Sequence, residues 1–201
     1  MNVTLIDYGA GNVASVERAL RRLGVETVAS NSPEAIRRAE RLILPGVGHC
    51  AALLSSLDAN QLRQPLLDAI QRGVPFLGIC LGLQALYDSS DEAPDLRGLG
   101  FFPGRVTRLP PTVKLPHMGW NQLRLRRSTC LLRSIAPDSF FYFAHSYAAP
   151  AAGPEIVAAG EHGCEFAAVI ERGNIAGVQF HPEKSGIPGA QLLSNFLGRP
   201  A

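Results

Sequence analysis

Cys80 lies between two glycines, Gly78 and Gly82, where the hydrophobic pattern of the chain changes abruptly. Residues 74–79 form a short apolar run that is typical of a buried strand, and residues 81–86 fit the beginning of a helix. Glycines at these positions relieve crowding where a strand turns sharply into a helix, as around the nucleophile of many hydrolases. A helix N-terminus also stabilises a thiolate. We predict that Cys80 is a nucleophile; the alternative is a buried structural cysteine.

A cysteine nucleophile needs a general base, and the base needs a group that orients it. His181 is the best placed of the five histidines, because it follows the strand-like residues 175–180, and Glu183 lies two positions further on. Residues i and i+2 of an extended chain point to the same side, so the imidazole and the carboxylate can act together. Pro182 interrupts the strand between them, and the alternative is a loop histidine beside a solvated glutamate. The sequence predicts a Cys-His-Glu triad.

Attack on a carbonyl carbon creates an oxyanion, which needs N–H donors. The backbone N–H of Leu81, at the predicted start of the helix, is one candidate. The second comes from Pro45-Gly46-Val47-Gly48, which ends another predicted strand and in which glycines allow a close approach of the backbone. The alternative is a strand-to-helix turn that binds no ligand.

The elements that must position these residues alternate between strand and helix in the first half of the chain. The predicted strands are 3–7, 25–29, 42–44 and 74–79, and the predicted helices are 13–23, one beginning at 33, 51–57 and 61–72. Such alternation favours an α/β fold with a doubly wound, mostly parallel sheet of the flavodoxin-like kind, whose ligands bind at the carboxyl ends of the strands. Strand patterns in the second half predict additional antiparallel pairing, and a last helix is expected at 189–197.

The composition fits a single globular domain that spans residues 1–201. The net charge of +2 does not favour a nucleic-acid-binding protein, since the arginines at 124, 126 and 127 lack interleaved aromatic residues. No apolar stretch has the length of a membrane span, and no signal peptide precedes the first strand, so we expect no membrane association and a cytoplasmic location.

No metal and no cofactor are expected. The four cysteines are scattered and form no C-x-x-C pair, which argues against zinc and against thioredoxin-type chemistry. Gly9-Ala10-Gly11 is similar to the beginning of a dinucleotide-binding motif. However, the second predicted strand ends in Ala29-Ser30-Asn31, without the acidic residue that would bind a ribose, so nicotinamide or flavin binding is disfavoured.

The segments around Cys80 and His181 together resemble the class I glutamine amidotransferase family. The matching motifs are Gly78-Ile79-Cys80-Leu81-Gly82-Leu83-Gln84 and His181-Pro182-Glu183. Residues 7–12, 44–48, 117–121 and 141–147 are similar to one branch of that family, the glutaminase subunits of imidazole glycerol phosphate synthase in histidine biosynthesis. The resemblance covers essentially the whole chain. His117 departs from it, since this branch commonly has lysine there, and this puts in doubt an ion pair at that position.

The resemblance implies hydrolysis of glutamine through a glutamyl thioester. Cys80 would attack the side-chain amide carbon, His181 would transfer protons to the leaving ammonia, and Glu183 would orient His181. The N–H groups of Leu81 and of Val47 or Gly48 would bind the oxyanion, after a peptide rearrangement if the site is not preformed. The positions that match those expected to bind the polar ends of glutamine are Gln84, Glu92, Ser146 and Tyr147.

The resemblance also implies a heterodimer with a (β/α)8-barrel cyclase, which would use the ammonia to make imidazole glycerol phosphate and aminoimidazole carboxamide ribonucleotide. The residues that match the face expected to meet this partner are Asn12, Trp120, Asn121, Tyr142 and Lys184. A glutaminase without its partner would waste glutamine, so the isolated chain is expected to be nearly inactive. The alternatives are a glutaminase subunit of another synthase, a non-catalytic relative that binds a partner, and a stand-alone cysteine hydrolase.

Overall fold

The computed structural model describes residues 2–9 and 12–198, which form one large sheet, two small sheets and the helices around them. The strands are β1 Val3–Ile6, β2 Thr27–Ser30, β3 Arg41–Gly46, β4 Phe76–Cys80, β5 Tyr87–Ser90, β6 Phe102–Arg108, β7 His117–Gln122, β8 Arg124–Leu125, β9 Phe140–His145, β10 Tyr147–Ala148, β11 Ile156–Glu161, β12 Glu165–Arg172 and β13 Ile175–Val178. The helices are α1 Val13–Arg22, α2 Pro33–Arg38, α3 Cys50–Ala59, α4 Arg63–Gln71, α5 Leu81–Gln84 and α6 Gly186–Phe196.

The large sheet has eight strands in the order β2-β1-β3-β4-β13-β12-β11-β8. The first five strands are parallel, and β12, β11 and β8 are added in antiparallel fashion. The predicted mostly parallel sheet with additional antiparallel strands is therefore confirmed. Strands β4 and β13, which carry Cys80 and lead to His181, are neighbours, and this adjacency brings the two side chains to the same edge of the sheet.

Both faces of this sheet are buried against helices. Successive side chains of a strand point to opposite sides, so neighbours along a strand belong to different clusters. Leu42 and Leu44 of β3 pack in a cluster with residues of α2, α3 and α4. Ile43, between them, packs in a second cluster with residues of α1 and α6. The uninterrupted apolar runs of the central strands follow from this double burial. No helix among the described residues is long and apolar enough to cross a membrane.

A two-stranded antiparallel sheet, β7 with β9, lies beside the functional residues. Trp120 pairs with Tyr142, and His117 pairs with His145. Strand β7 was not predicted from the sequence, because its pairing partner β9 lies far away along the chain. Alternate residues of β7 are exposed, so this small sheet has an outward and an inward face.

Two further expectations are corrected at the level of elements. The helix after Cys80 ends at Gln84 after a single turn, and the chain then enters β5, which the sequence did not predict. Strand β5 pairs with β6 in a three-stranded sheet that also includes β10. Ala10 and Gly11, part of the Gly9-Ala10-Gly11 segment compared above with a dinucleotide-binding motif, lie outside the described residues.

Candidate active site

Cys80 lies at the junction of β4 and α5 with backbone angles φ 53° and ψ −106°. A positive φ is uncommon for a residue with a β-carbon, and such strain is retained mainly at functional sites. The conformation ends the strand and begins the helix within one residue. It places the sulfur at the carboxyl edge of the parallel strands, where Gly46 of β3 is the register partner of Cys80.

The glycines around Cys80 allow this turn because other backbone segments pass very close to them. A β-carbon on Gly78 would lie 2.5 Å from the carbonyl oxygen of Gly82, and one on Gly82 would lie 2.0 Å from the carbonyl oxygen of Leu44. Both distances are far below van der Waals contact. The predicted function of these glycines, relief of crowding at a sharp turn, is confirmed, and it lets α5 pack directly on β3 and β4.

The structure brings Cys80, His181 and Glu183 together. The Nδ1 of His181 lies 2.9 Å from the Oε1 of Glu183, and both side chains are almost completely buried. His181 and Cys80 line the same cavity, and Cys80 is close enough to raise the pKa of His181. The imidazole therefore has the carboxylate at one ring nitrogen and the sulfur nearby on the same cavity, an arrangement that fits a nucleophile, a base and an orienting group.

Electrostatics at this cluster favour a charged His181. Burial lowers the pKa of its imidazole, but the interactions with Cys80 and with Glu183 raise it by more, to about 10. His181 is then protonated at neutral pH. An imidazolium beside a cysteine stabilises the thiolate, which is the reactive form of the nucleophile.

A cavity of about 270 Å³ opens above Cys80. This is close to the lower end of the roughly 300–1,000 Å³ that is typical of small-molecule sites. All residues predicted to bind the oxyanion or the polar ends of glutamine line it, namely Val47, Gly48, Leu81, Gln84, Glu92, Ser146 and Tyr147. The described structure therefore gathers these residues, from four separate parts of the chain, around one sulfur atom.

The two predicted sources of oxyanion donors lie on this cavity. Leu81 is the first residue of α5 and follows Cys80 directly. The carbonyl oxygen of Val47 accepts a hydrogen bond from the hydroxyl of Tyr8 at 3.5 Å, which fixes the direction of the peptide that joins Val47 to Gly48. Gly48 has a φ of 94°, a conformation that favours glycine.

The family model described as glutamine amidotransferase class-I matches residues 4–199 of the chain. The chain belongs to this family. The amidotransferase is 46% identical over 195 residues to the imidazole glycerol phosphate synthase subunit HisH of Methanothermobacter thermautotrophicus, with 97% of each chain covered. It is 47% identical to the subunit of the same name from Moorella thermoacetica, covering 96% of this chain and 93% of the relative.

Solved structures support the fold of this amidotransferase. A structure titled as that of a glutamine amidotransferase has a TM-score of 0.78 at 18% identity, with 98% of this chain and 97% of that chain covered. The structure of PurLQS from Thermotoga maritima has the same TM-score at 19% identity. At these identities the likeness shows the fold alone.

Sequence reasoning missed one residue of the amidotransferase site, Gln179. Its side chain is fully buried immediately after β13. Its Nε2 lies 3.5 Å from the sulfur of Cys80, and its Oε1 accepts a hydrogen bond from Gln84 at 3.1 Å. The available signal was a glutamine inside an otherwise apolar run, two residues before His181, since a polar side chain in a buried strand needs a partner.

His117, where the family branch commonly has lysine, takes part in a buried cluster of histidines. Its Nδ1 lies 3.0 Å from the Nε2 of His145, and its ring stacks on that of His162 with centroids 4.2 Å apart. Burial, together with His162, lowers the pKa of His117 to about 4, so its ring is neutral at neutral pH. The neutral ring disfavours an ion pair at this position. No group of three or more potential ligands within the described ranges is arranged to hold a metal ion.

Four of the five residues predicted to face a partner lie at one edge of the site. Trp120 is 56% exposed and contacts Tyr142, and the Nζ of Lys184 lies 5.7 Å from the centre of the Tyr142 ring. Asn12 donates a hydrogen bond to the Oε1 of Glu183 at 3.2 Å. Asn121 differs, because its amide is directed to the inward side, where it donates to the carbonyl oxygen of Glu161 at 2.9 Å.

Proposed function

We propose that this chain is the glutaminase subunit of an imidazole glycerol phosphate synthase and that Cys80, His181 and Glu183 form its catalytic triad. The observation that carries the proposal is the buried Cys80–His181–Glu183 cluster at a strained turn that opens into a cavity. The identity of 46–47% to two HisH subunits over nearly the whole chain supports the choice of synthase.

The reaction follows from the order of these groups. The thiolate of Cys80 attacks the side-chain amide carbon of glutamine, and a C–S bond forms. The imidazolium of His181 gives its proton to the nitrogen, the C–N bond breaks, and ammonia leaves. A water molecule then attacks the thioester carbon and gives a proton to His181, the C–S bond breaks, and glutamate is released. Glu183 keeps the imidazole oriented and stabilises its positive charge throughout.

Binding of glutamine uses the polar groups on the cavity wall. The carboxylate of Glu92 offers a partner for the α-ammonium group of the substrate, and one of its oxygens already accepts the N–H of Cys50 at 2.8 Å. Gln84, Ser146 and Tyr147 line the same cavity and supply the remaining polar contacts. The N–H groups of Leu81 and of Val47 or Gly48 bind the developing oxyanion.

The ammonia passes to a (β/α)8-barrel cyclase subunit in a heterodimer. The outward face of the β7–β9 sheet is proposed to meet this partner. It carries the exposed Trp120, and Ala144 on the same face lines the cavity above Cys80. A protein that covers this face would therefore also shield the cavity, and ammonia would not reach bulk water, where it becomes protonated.

The test is glutamate release by the chain alone and by the chain with the cyclase subunit of a related synthase and its nucleotide substrate. We expect strong stimulation by the partner. Cys80→Ala should abolish release, a loss of about a thousandfold or more. Cys130→Ala, at an exposed cysteine outside the site, should leave release unchanged.

The possible results test the catalytic mechanism, the choice of synthase and the presence of activity separately. Full activity in Cys80→Ala would refute the mechanism. Activity that depends on Cys80 but does not respond to the cyclase would refute the choice of synthase and favour a glutaminase subunit of another synthase. No release under any condition would favour a non-catalytic relative.

A further inference from the structure

The amide of Gln179 is held in a place where a polar group is costly. Gln179 has no exposed surface, and it lies between the end of β13 and His181. An amide buried in this way needs hydrogen bonds for both its oxygen and its nitrogen. The oxygen accepts from Gln84 at 3.1 Å, and the nitrogen lies 3.5 Å from the sulfur of Cys80.

The neighbours of Gln179 fix which end of its amide faces the sulfur. Gln84 donates from its Nε2 to the carbonyl oxygen of Tyr147 at 2.7 Å, and a carbonyl can only accept, so this end of Gln84 must be the nitrogen. The second hydrogen of the same nitrogen is then directed at the Oε1 of Gln179. The Nε2 of Gln179 is therefore left facing Cys80. A flipped Gln179 amide would oppose two N–H donors and place its oxygen against the sulfur.

We propose that Gln179 is a positioning residue whose N–H donates to the sulfur of Cys80 and favours its thiolate form. The inference rests on the proposed glutaminase function and deepens it. A hydrogen bond to the charged form of a group favours that form. The same N–H also stabilises the sulfur as a leaving group when water attacks the thioester and the C–S bond breaks.

Gln179 acts differently from His181. The imidazolium of His181 loses its proton to ammonia during the reaction, whereas the amide of Gln179 has no proton to give at ordinary pH. The donation from Gln179 is therefore constant through both halves of the reaction. This constancy depends on the Tyr147–Gln84–Gln179 chain of hydrogen bonds, which orients the amide.

Several titratable groups also face Cys80, and the test leaves all of them in place. They are His181, Tyr8, His145, Glu92 and Lys184. Substitution of the uncharged Gln179 by another uncharged residue changes none of these charges. In Gln179→Leu, a change in the titration of the sulfur can then be assigned to the lost hydrogen bond, whereas Gln179→Glu also adds a carboxylate.

The experiment measures alkylation of Cys80 by iodoacetamide in the full chain between pH 5 and pH 10. The extent of reaction is followed by mass spectrometry of the peptide that contains Cys80, because Cys130 and Cys164 are exposed and also react. The variants are Gln179→Leu, which removes the donor, and Gln179→Glu, which keeps an acceptor for Gln84. Gln191→Leu is the control, since it removes an amide that donates to Asn195 on α6, away from Cys80.

We expect the pH of half-maximal alkylation to rise by about one unit in Gln179→Leu, which corresponds to a roughly tenfold loss of reactive sulfur below the midpoint. The rise should be larger in Gln179→Glu, because a carboxylate repels a thiolate. The control should coincide with the wild type. In complex with the cyclase, both Gln179 variants should lower kcat more than they change KM, since the interaction is made with the reacting sulfur.

Thermal unfolding establishes that each variant is folded. A folded Gln179 variant whose alkylation profile coincides with that of the wild type overturns the proposal. Loss of folding in both variants also overturns it, because the amide would then be structural. If Cys80→Ala abolishes glutamate release while the Gln179 profiles do not move, this inference fails and the proposed function stands. Retained release in Cys80→Ala refutes the proposed function itself.

Discussion

One oxygen of Glu183 serves two donors at the centre of the site. Its Oε1 lies 2.9 Å from the Nδ1 of His181 and accepts from Asn12 at 3.2 Å. The Glu183 side chain is fully buried, so its negative charge acts on the imidazole with little screening by water. No contact between Glu183 and the sulfur occurs among the described residues, so an effect of Glu183 on the proposed reaction would pass through His181.

Glu183→Gln should therefore change the pH dependence of glutamate release as well as its rate. A neutral amide removes the charge that raises the pKa of His181, so His181 loses its proton at lower pH and cannot protonate ammonia there. We expect the alkaline side of the pH profile to move to lower pH and kcat to fall by about 10²–10⁴-fold. Glu165→Gln, at an exposed carboxylate, is the control. An unchanged profile would show that Glu183 does not orient or charge His181.

The neutral pair His117 and His145 should make folding sensitive to acid. Burial lowers the pKa of His145 to about 3 and that of His117 to about 4, whereas each has an ordinary value of 6.5. Between about pH 4 and 6.5 the unfolded chain thus binds more protons than the folded chain. The free energy of unfolding should fall on acidification in this window, by at most about 1.4 kcal/mol per pH unit for each histidine.

Urea denaturation at pH 7, 6 and 5 measures this dependence. His117→Gln keeps a side-chain donor for His145 and removes one titrating ring, so its stability should fall less steeply with pH than that of the wild type. Equal slopes for the two proteins would show that His117 does not remain neutral in the folded chain.

At the scale of elements, the sequence was informative where the determinants are local. The apolar run before Cys80 and its flanking glycines predict a sharp strand-to-helix turn, and the structure has one. The sequence was uninformative where a strand pairs with a segment that lies far away along the chain. Helix α5 ends early because Tyr87 pairs with Phe102, and the Trp120 segment is a strand because it pairs with Tyr142. Gln179 was missed because its partners, Cys80 and Gln84, come from a different part of the chain.

The close packing of α5 on β3 makes Gly82→Ala a test of the turn. The added β-carbon would lie 2.0 Å from the carbonyl oxygen of Leu44, so helix and strand must separate. We expect the free energy of unfolding to fall by about 3 kcal/mol or more. Gly173→Ala is the control, because its β-carbon would enter open space and the cost is only that of a left-handed backbone, about 1–2 kcal/mol. Urea denaturation of both variants measures the difference, and equal losses would contradict close packing at Gly82.

At the scale of the whole molecule, the cavity above Cys80 lies next to an apolar surface on the β7–β9 sheet. Met118, Trp120 and Phe140 are 65%, 56% and 52% exposed and belong to the outward face of the β7–β9 sheet. Exposed apolar residues grouped on one face mark interaction sites more often than scattered ones do. Ala144 belongs to this face and lines the cavity, and its carbonyl oxygen lies 4.0 Å from the sulfur of Cys80. A partner bound here would sit directly over the chemistry.

Trp120→Ala should separate partner binding from folding. Trp120 is more than half exposed, and its main contact is the edge of the Tyr142 ring, so its removal should change the free energy of unfolding by less than about 1 kcal/mol. A buried tryptophan at the centre of an interface is a frequent hot spot, so the affinity for the cyclase subunit should fall at least about tenfold. Leu125→Ala, equally exposed on β8, is the control and should bind normally. Calorimetric titration of each variant with the cyclase measures the affinity, and wild-type binding by Trp120→Ala would exclude the outward face of the β7–β9 sheet as the docking surface.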